Sequence, residues 1–344
     1  MYKKYMYKKL TATMLICSLL FIAAGCADVS GSSQSRPSDT GGDPRISVVT
    51  TIFPPYDFVR EIAGEHVSLS QLLPPGAESH SFEPSPSDII SIQSCDVFIY
   101  NGGDSDIWVD RILSSMDEPP IEIVKMMELV PLSEEEHTEG MEGDDHDHED
   151  QEDHEHHEHD GGDDHDHGYE YDEHVWTSPV NAQKIVSGIS EALIKADPEN
   201  RQSYEEGSSA YIDELSGLDQ SFRELSENAA SHLLIFGDRF PFRYFADEYG
   251  FKYYAAFPGC STQTEAAAST VAFLIEKAKA ENVRVVFHIE FSNETMAETI
   301  AAESVAEVRL LHSCHNVSAK DMEEGVGYLS LMEQNLRTLE EVLS

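Results

Sequence analysis

Residues 134–173 consist almost wholly of His, Asp, Glu and Gly. Such a run has almost no apolar side chains to offset the entropy of ordering its backbone, so it cannot form a packed layer. Whatever folds must be assembled from the sequence on either side. The run carries His146, His148, His154, His156, His157, His159, His165 and His167. Imidazole nitrogens and carboxylate oxygens are first-row transition-metal ligands, and imidazole suits Zn, Cu and Ni far better than Mg or Ca. The composition reads as a metal-collecting segment; the alternative is a solvated acidic linker in which His is incidental.

The first residues point to export. Lys3, Lys4, Lys8 and Lys9 precede an apolar stretch over residues 10–24, too short for a comfortable bilayer span, which is the pattern of a secretory signal peptide. It ends in Ala23-Ala24-Gly25-Cys26, which resembles the lipobox of bacterial lipoproteins, without the usual Leu three positions before the Cys. Lipidation of Cys26 is expected, and simple cleavage with a free thiol is the alternative. Ser, Gly and Pro then dominate residues 30–43, the composition of a flexible tether.

The net charge of -43 excludes nucleic acid or anionic lipid as a surface-charge partner, because both require a basic face. About half of that charge lies in the His-rich run. Outside signal, tether and run, about 260 residues remain, enough for two ordinary domains. Cys95 begins an apolar strand and reads as a small buried hydrophobe, whereas Cys260 and Cys314 follow strands in loop-like contexts. In an oxidising compartment the latter two are expected to form a disulfide, with two separate thiols as the alternative.

The rest alternates strand and helix. Strands are expected at 46–51, 67–73 and 97–100, with helices at 56–64 and 88–94 between them. Helices follow at 179–195 and from 198 to about 230, the second with Tyr204, Tyr211, Leu215, Leu218, Phe222 and Leu225 at helical spacing. A second alternation predicts strands at 233–236, 252–257, 283–289 and 308–311, and helices at 242–249, 264–281, 294–303 and 328–343. This is an α/β chain of two lobes with parallel-type sheets, joined by one long helix, and it places a ligand in the cleft at the carboxyl ends of the strands. The expected division is 1–25 signal, 26–45 lipid-anchored tether, 46–178 first lobe including the loop 134–170, 179–230 helical linker and 231–344 second lobe.

Three motifs carry a resemblance. They are Ile52-Phe53-Pro54-Pro55-Tyr56-Asp57-Phe58; Leu73-Pro74-Pro75-Gly76-Ala77-Glu78-Ser79-His80-Ser81-Phe82-Glu83-Pro84-Ser85-Pro86; and Asp172-Glu173-His174-Val175-Trp176-Thr177-Ser178-Pro179. In order and spacing, with an acidic His-rich insert before the third, they resemble the substrate-binding lipoproteins of bacterial zinc and manganese ABC transporters, and specifically the zinc branch. The resemblance implies a rigid helix between lobes, one Zn2+ (or, in the other branch, Mn2+) in the cleft, and delivery to a membrane permease driven by an ATPase. No P-loop is present in this sequence, so that ATPase is another subunit. A monomer, held to the cell membrane by its lipid or soluble in the periplasm, is expected.

Carried over by position, the resemblance makes His80 and His174 metal ligands. Asp106 lies where zinc-branch members often have a Glu near the metal, and is a further candidate. In the second lobe the pattern breaks: the ungapped match puts Arg239 at the third ligand position, and arginine cannot ligate a cation. Asp238 beside it is one replacement, or an ion-paired or capping Asp. His315 falls at the fourth position, where most members have Asp, and would return the lost imidazole. His312 is its runner-up, and His288, in a β-branched strand beside Glu290, reads as a core or supporting residue.

Three histidines and a carboxylate also suit a hydrolytic zinc site, with Glu290 or Glu83 as base. Neither the helical His-Glu-x-x-His pattern nor a nucleophile elbow is present in the sequence, and no enzyme is expected. A surface zinc store or adhesin without a permease is the remaining alternative.

Overall fold

The computed structural model describes residues 45–78, 81–116, 121–141, 171–263 and 265–343. Cys26, His80 and the histidines from His146 to His167 lie outside the described residues. The first described strand is β1 (Ile46–Thr50), whose Val48, Val49 and Thr50 are buried. Helix α1 (Phe53–Ala63) follows directly, with prolines in its first turn, where their missing N–H is not needed. Next come β2 (Val67–Gln71), α2 (Pro86–Ser94) and β3 (Val97–Tyr100). Helix α2 opens on a capping box between Ser85 and Asp88, which accounts for its sharp start after the prolines. Helix α3 (Ile107–Ser114) and β4 (Glu122–Lys125) complete a four-stranded parallel sheet in the order β2-β1-β3-β4.

Helices α4 (Pro179–Ala196) and α5 (Arg201–Asn228) lead to the second sheet. That sheet is built from β5 (Leu233–Phe240), α6 (Arg243–Tyr249), β6 (Lys252–Pro258), α7 (Ala268–Ala280), β7 (Val285–His288), α8 (Thr295–Ser304) and β8 (Glu307–Leu310). Its order is β6-β5-β7-β8, again parallel. Helices α9 (Ala319–Glu323) and α10 (Tyr328–Leu343) close the chain. Each sheet reverses its winding direction once, between β1 and β3 and between β5 and β7, and such switch points leave crevices at the carboxyl ends of the strands.

Helix α5 ties the lobes together. Its 28 residues span about 42 Å at the standard helical rise. Tyr204, Ser208, Tyr211, Leu215, Leu218, Phe222 and Leu225 recur every three or four residues and are buried, which makes one continuous apolar stripe. Tyr211 meets Phe58 of α1 at 6.1 Å between ring centroids, and Phe222 meets Phe245 of α6 at 4.9 Å. Because one helix face serves both ends, a single apolar cluster runs from Val48 and Ile99 of the first sheet to Leu234 and Phe287 of the second. A second tie joins α1 to α10. The buried Asp57 of α1 accepts the Tyr328 N–H at the start of α10 at 2.6 Å and pairs with Arg60 at 2.6 Å. Burial pushes its carboxyl up to about 6, against the pull of Arg60.

The crossing of α1 and α5 depends on Gly207. A Cβ there would lie 2.3 Å from the Ile62 carbonyl oxygen, which is backbone and cannot rotate away. Gly207→Ala should therefore destabilise the chain by about 1–3 kcal/mol, overpacking outweighing the better helix propensity of Ala. Urea denaturation checks this, and a stabilised variant would show that the helices separate freely.

The long second helix differs from expectation at its start. Pro198–Asn200 form a separate 3-10 turn, where the Asp197 carboxylate accepts from Asn200 Nδ2 at 2.6 Å and Tyr204 Oη at 2.8 Å. These bonds turn the chain back on α4.

Candidate metal centre

The residues that follow β5 and β7 meet the loop after β2 around a small cavity of about 30 Å³, walled by Glu78, His174, Arg239, Glu290 and His315 among others. It is a space for a single ion or water. His174 and His315 come from opposite sides of the cleft, with ring centroids 5.5 Å apart and planes at 86°. Trp176 packs on both, at 5.4 Å and 4.9 Å. Its indole N–H donates to the Ser313 carbonyl at 2.9 Å, and its own carbonyl accepts from Tyr328 Oη at 2.6 Å. The indole is thus a fixed plate against which two imidazoles are set.

His174 is buried at the head of the turn that leads into α4. Asp172 Oδ1 accepts its backbone N–H at 2.8 Å and lies 3.1 Å from its Nδ1. A carboxylate at that distance makes Nδ1 the donor and leaves the lone pair on Nε2, the tautomer a metal ligand needs. Burial disfavours the imidazolium, but the charge and hydrogen bond of Asp172, with Glu173 and Glu135, outweigh it and raise the pKa above the usual value. Gly259 makes the close approach possible, since a Cβ there would lie 3.1 Å from both His174 Nδ1 and Asp172 Oδ2.

His315 is half-buried on a turn after β8. Cys314, before it, has φ 61°, an uncommon conformation for a residue with a side chain. Glu290 holds that turn by accepting from Ser313 N–H at 2.8 Å, Ser313 Oγ at 2.6 Å and His315 N–H at 3.2 Å. Sequence reading raised Glu290 only as a hydrolytic base; here it supports the loop that presents His315. Its position just beyond β7, at the switch point, was the available signal.

Other expected residues are placed as follows. Asp238 is buried with both carboxylate oxygens engaged, by Arg239 N–H at 2.8 Å and Ile289 N–H at 3.1 Å, and it is not part of the cavity wall. Asp106 lines a neighbouring cavity of about 20 Å³ together with Glu173 and His315. Its carboxylate accepts from Asn101 N–H and Gly102 N–H at 2.9 Å and 3.0 Å, and burial pushes its pKa up to about 7. His312 Nδ1 accepts the Cys314 N–H at 3.0 Å, a turn-stabilising role. His288 ends β7 with Nδ1 3.0 Å from the Ile289 carbonyl, away from the cavity wall. Among the described residues, no group of three or more His, Cys, Asp or Glu is gathered closely enough to hold a metal. His80 lies outside that set, and Ala77 and Glu78, shortly before it, are in the cavity wall.

The expected disulfide between Cys260 and Cys314 is corrected: both are free thiols. The left-handed turn at Cys314 belongs to a fully buried residue packed into the main apolar cluster, where its Sγ lies 3.7 Å from the His312 carbonyl. Cys260 lies in different surroundings, its N–H donating to Glu135 at 3.1 Å among the acidic groups around Asp172. Loop context alone did not reveal that the two thiols face different surroundings. Cys95 is the small buried hydrophobe expected.

The described flank of the acidic run before residue 142 is fastened to α6 and α7 of the second lobe and to Tyr171. Glu134 bridges to Tyr171, Glu136 pairs with Arg243, and Lys277 pairs with Glu139 at 3.2 Å. The described chain resumes at Tyr171, three residues before His174.

Residues 48–342 match the family described as zinc-uptake complex component A, periplasmic, or ZnuA. The chain belongs to the ZnuA family. The high-affinity zinc uptake system protein ZnuA of Bacillus subtilis (strain 168) is 34% identical over 341 residues, which is 98% of this chain and 99% of that protein. The zinc-binding lipoprotein AdcA of Streptococcus pneumoniae serotype 4 is 31% identical over 334 residues, 95% of this chain, and the match spans 59% of AdcA. The crystal structure of the Zn(II)-bound ZnuA-like domain of Streptococcus pneumoniae AdcA is similar with a TM-score of 0.69 and 26% identity, covering 87% of this chain and 99% of that domain. Within the ZnuA family frame, the two-lobed α/β architecture read from the sequence is the one found.

Proposed function

We propose that this chain is the extracytoplasmic substrate-binding component of an ABC transporter for Zn(II), which it takes into the interlobe cavity and hands to a permease driven by a separate ATPase. The observation that carries the reading is the pair His174 and His315, two imidazoles from opposite sides of one small cavity, with the Asp172 carboxylate on the His174 ring and Glu290 accepting the backbone N–H of His315. Paired imidazoles favour zinc over the harder manganese. The names of the ZnuA and AdcA relatives point the same way. In this reading His80 is the third ligand, Asp106 supports the site, and Asp238 stays with its backbone partners. Water or a carboxylate completes a tetrahedral set. The role is capture without catalysis. Lipidation at Cys26 would hold the chain at the outer face of the cell membrane.

The His-rich run from His146 to His167 acts as a weak collector, since each of its sites must order flexible chain, whereas His174 and His315 are held by the fold around the cavity. Calorimetry of chelator-treated protein should resolve one tight zinc and several weak ones. Deleting residues 139–168 should remove only the weak class. Loss of the tight class in that deletion would refute the cavity as the transport site.

A further inference from the structure

Arg239 places a cation in the wall of a cavity that is to receive another. Its side chain is 13% exposed, and it cannot shed its proton. Both ends of its guanidinium fork are directed at one carboxylate from the opposite side of the cleft. Nη1 donates to Glu78 Oε1 at 3.2 Å and Nη2 to Glu78 Oε2 at 3.0 Å, while Nη1 also reaches the Ser261 carbonyl at 3.3 Å. Among the described residues, Asp238 and Glu290 also lie near Arg239. Asp238 is held by two backbone N–H groups and Glu290 by the Ser313–His315 turn. Among the described residues, Glu78 is the acidic side chain that meets Arg239 in bidentate geometry.

The loop that carries Glu78 does not need this pair to stay in place. Asn316 Nδ2 donates to the Pro74 and Ala77 carbonyls at 2.8 Å and 3.0 Å, and Gly76 N–H donates to the Val317 carbonyl at 2.8 Å. An ion pair that is redundant for holding its loop, yet lines the cation cavity, points to an electrostatic role.

We propose that Glu78 is the charge shield of this site: by holding the Arg239 guanidinium in a bidentate pair across the cleft, it cancels a repulsion that would otherwise exclude a divalent cation. The proposal rests on the zinc-binding reading above and adds to it a specificity-determining pair. Arg239 limits the cavity's affinity for any cation, and Glu78 sets how far that limit is lifted. Even at the screening of bulk water, a guanidinium about 6 Å from a divalent ion changes its binding on the order of tenfold.

The test is a double-mutant cycle read by zinc competition against a chromogenic chelator, with circular dichroism to establish that each variant is folded. Glu78→Ala should weaken zinc binding by about tenfold or more, because it bares the guanidinium. Arg239→Ala should tighten it by a similar factor. The double variant should return to within about threefold of the parent chain, since both charges are gone. If Arg239→Ala weakens binding, the guanidinium supports the site and the shield is refuted. A double variant as weak as Glu78→Ala would make Glu78 a ligand in its own right, which also overturns the proposal. Parent chain that takes up no tight zinc would instead sink the transport reading, and the shield with it.

Discussion

His315→Ala is expected to weaken tight zinc binding on the order of a hundredfold or more, matching the loss in His174→Ala. The two imidazoles line one cavity 5.5 Å apart and lean on the same indole, so removing either leaves a metal with one imidazole of the pair. His288→Ala should leave affinity within about threefold, because that ring bonds its neighbour's carbonyl outside the cavity wall. Asp238→Asn should also leave zinc affinity nearly intact while lowering stability by about 1–3 kcal/mol, since two buried backbone donors lose a charged acceptor. The measurement is again chelator competition, with thermal unfolding alongside. Unchanged affinity in His315→Ala would remove the second lobe's ligand from this turn, and a large loss in Asp238→Asn would move it to β5.

The lobes and their parallel sheets were legible because hydrophobic periodicity is a local signal, and in this chain it switches cleanly between strand and helix. The closing helix 328–343 matches α10 at both ends. Elements with weak local patterns were missed. Strand β4 has the sequence Glu-Ile-Val-Lys, with charged ends and only Val124 buried, so nothing in it marks a strand until β3 is beside it. Helix α3 starts from a 3-10 turn over Asp104–Asp106 after two glycines, which reads as loop.

The site divides along the same line. His174 and His315 could be named from motif position, but what orients them could not. Glu290 reaches a turn more than twenty residues away, and Arg239 reaches Glu78 across 161 positions. The match also flagged Arg239 only as a missing ligand. Its physical meaning, a positive charge that needs an answer, appears once the two sides of the cleft are brought together. Cys314 shows the converse error: a loop position suggested a disulfide to Cys260, while its left-handed backbone accompanies a buried free thiol.

Acid should empty the cavity steeply, with tight zinc affinity falling by up to about a hundredfold per pH unit once both imidazoles titrate, because each must lose a proton to ligate. His174 sets where the fall begins. Burial alone would lower its pKa, but Asp172, helped by Glu173 and Glu135, raises it above 6.5, so protons compete at a higher pH than for an isolated histidine. In the metal-free chain, a histidine with a raised folded-state pKa contributes stability that is fully present below 6.5 and is lost as pH rises through the raised value. Lowering the pH therefore favours the metal-free fold through this group while disfavouring the loaded one. The melting-temperature gain from zinc should shrink from pH 8 to pH 5.5, faster than the loss of overall stability. Asp172→Asn removes the largest raising charge and should move the onset of zinc loss to lower pH, although it also frees the ring to turn. Competition titrations across that range decide the matter. Affinity that stays flat down to pH 5.5 would mean that imidazoles do not hold the metal, and an unmoved onset in Asp172→Asn would take Asp172 out of the control of His174.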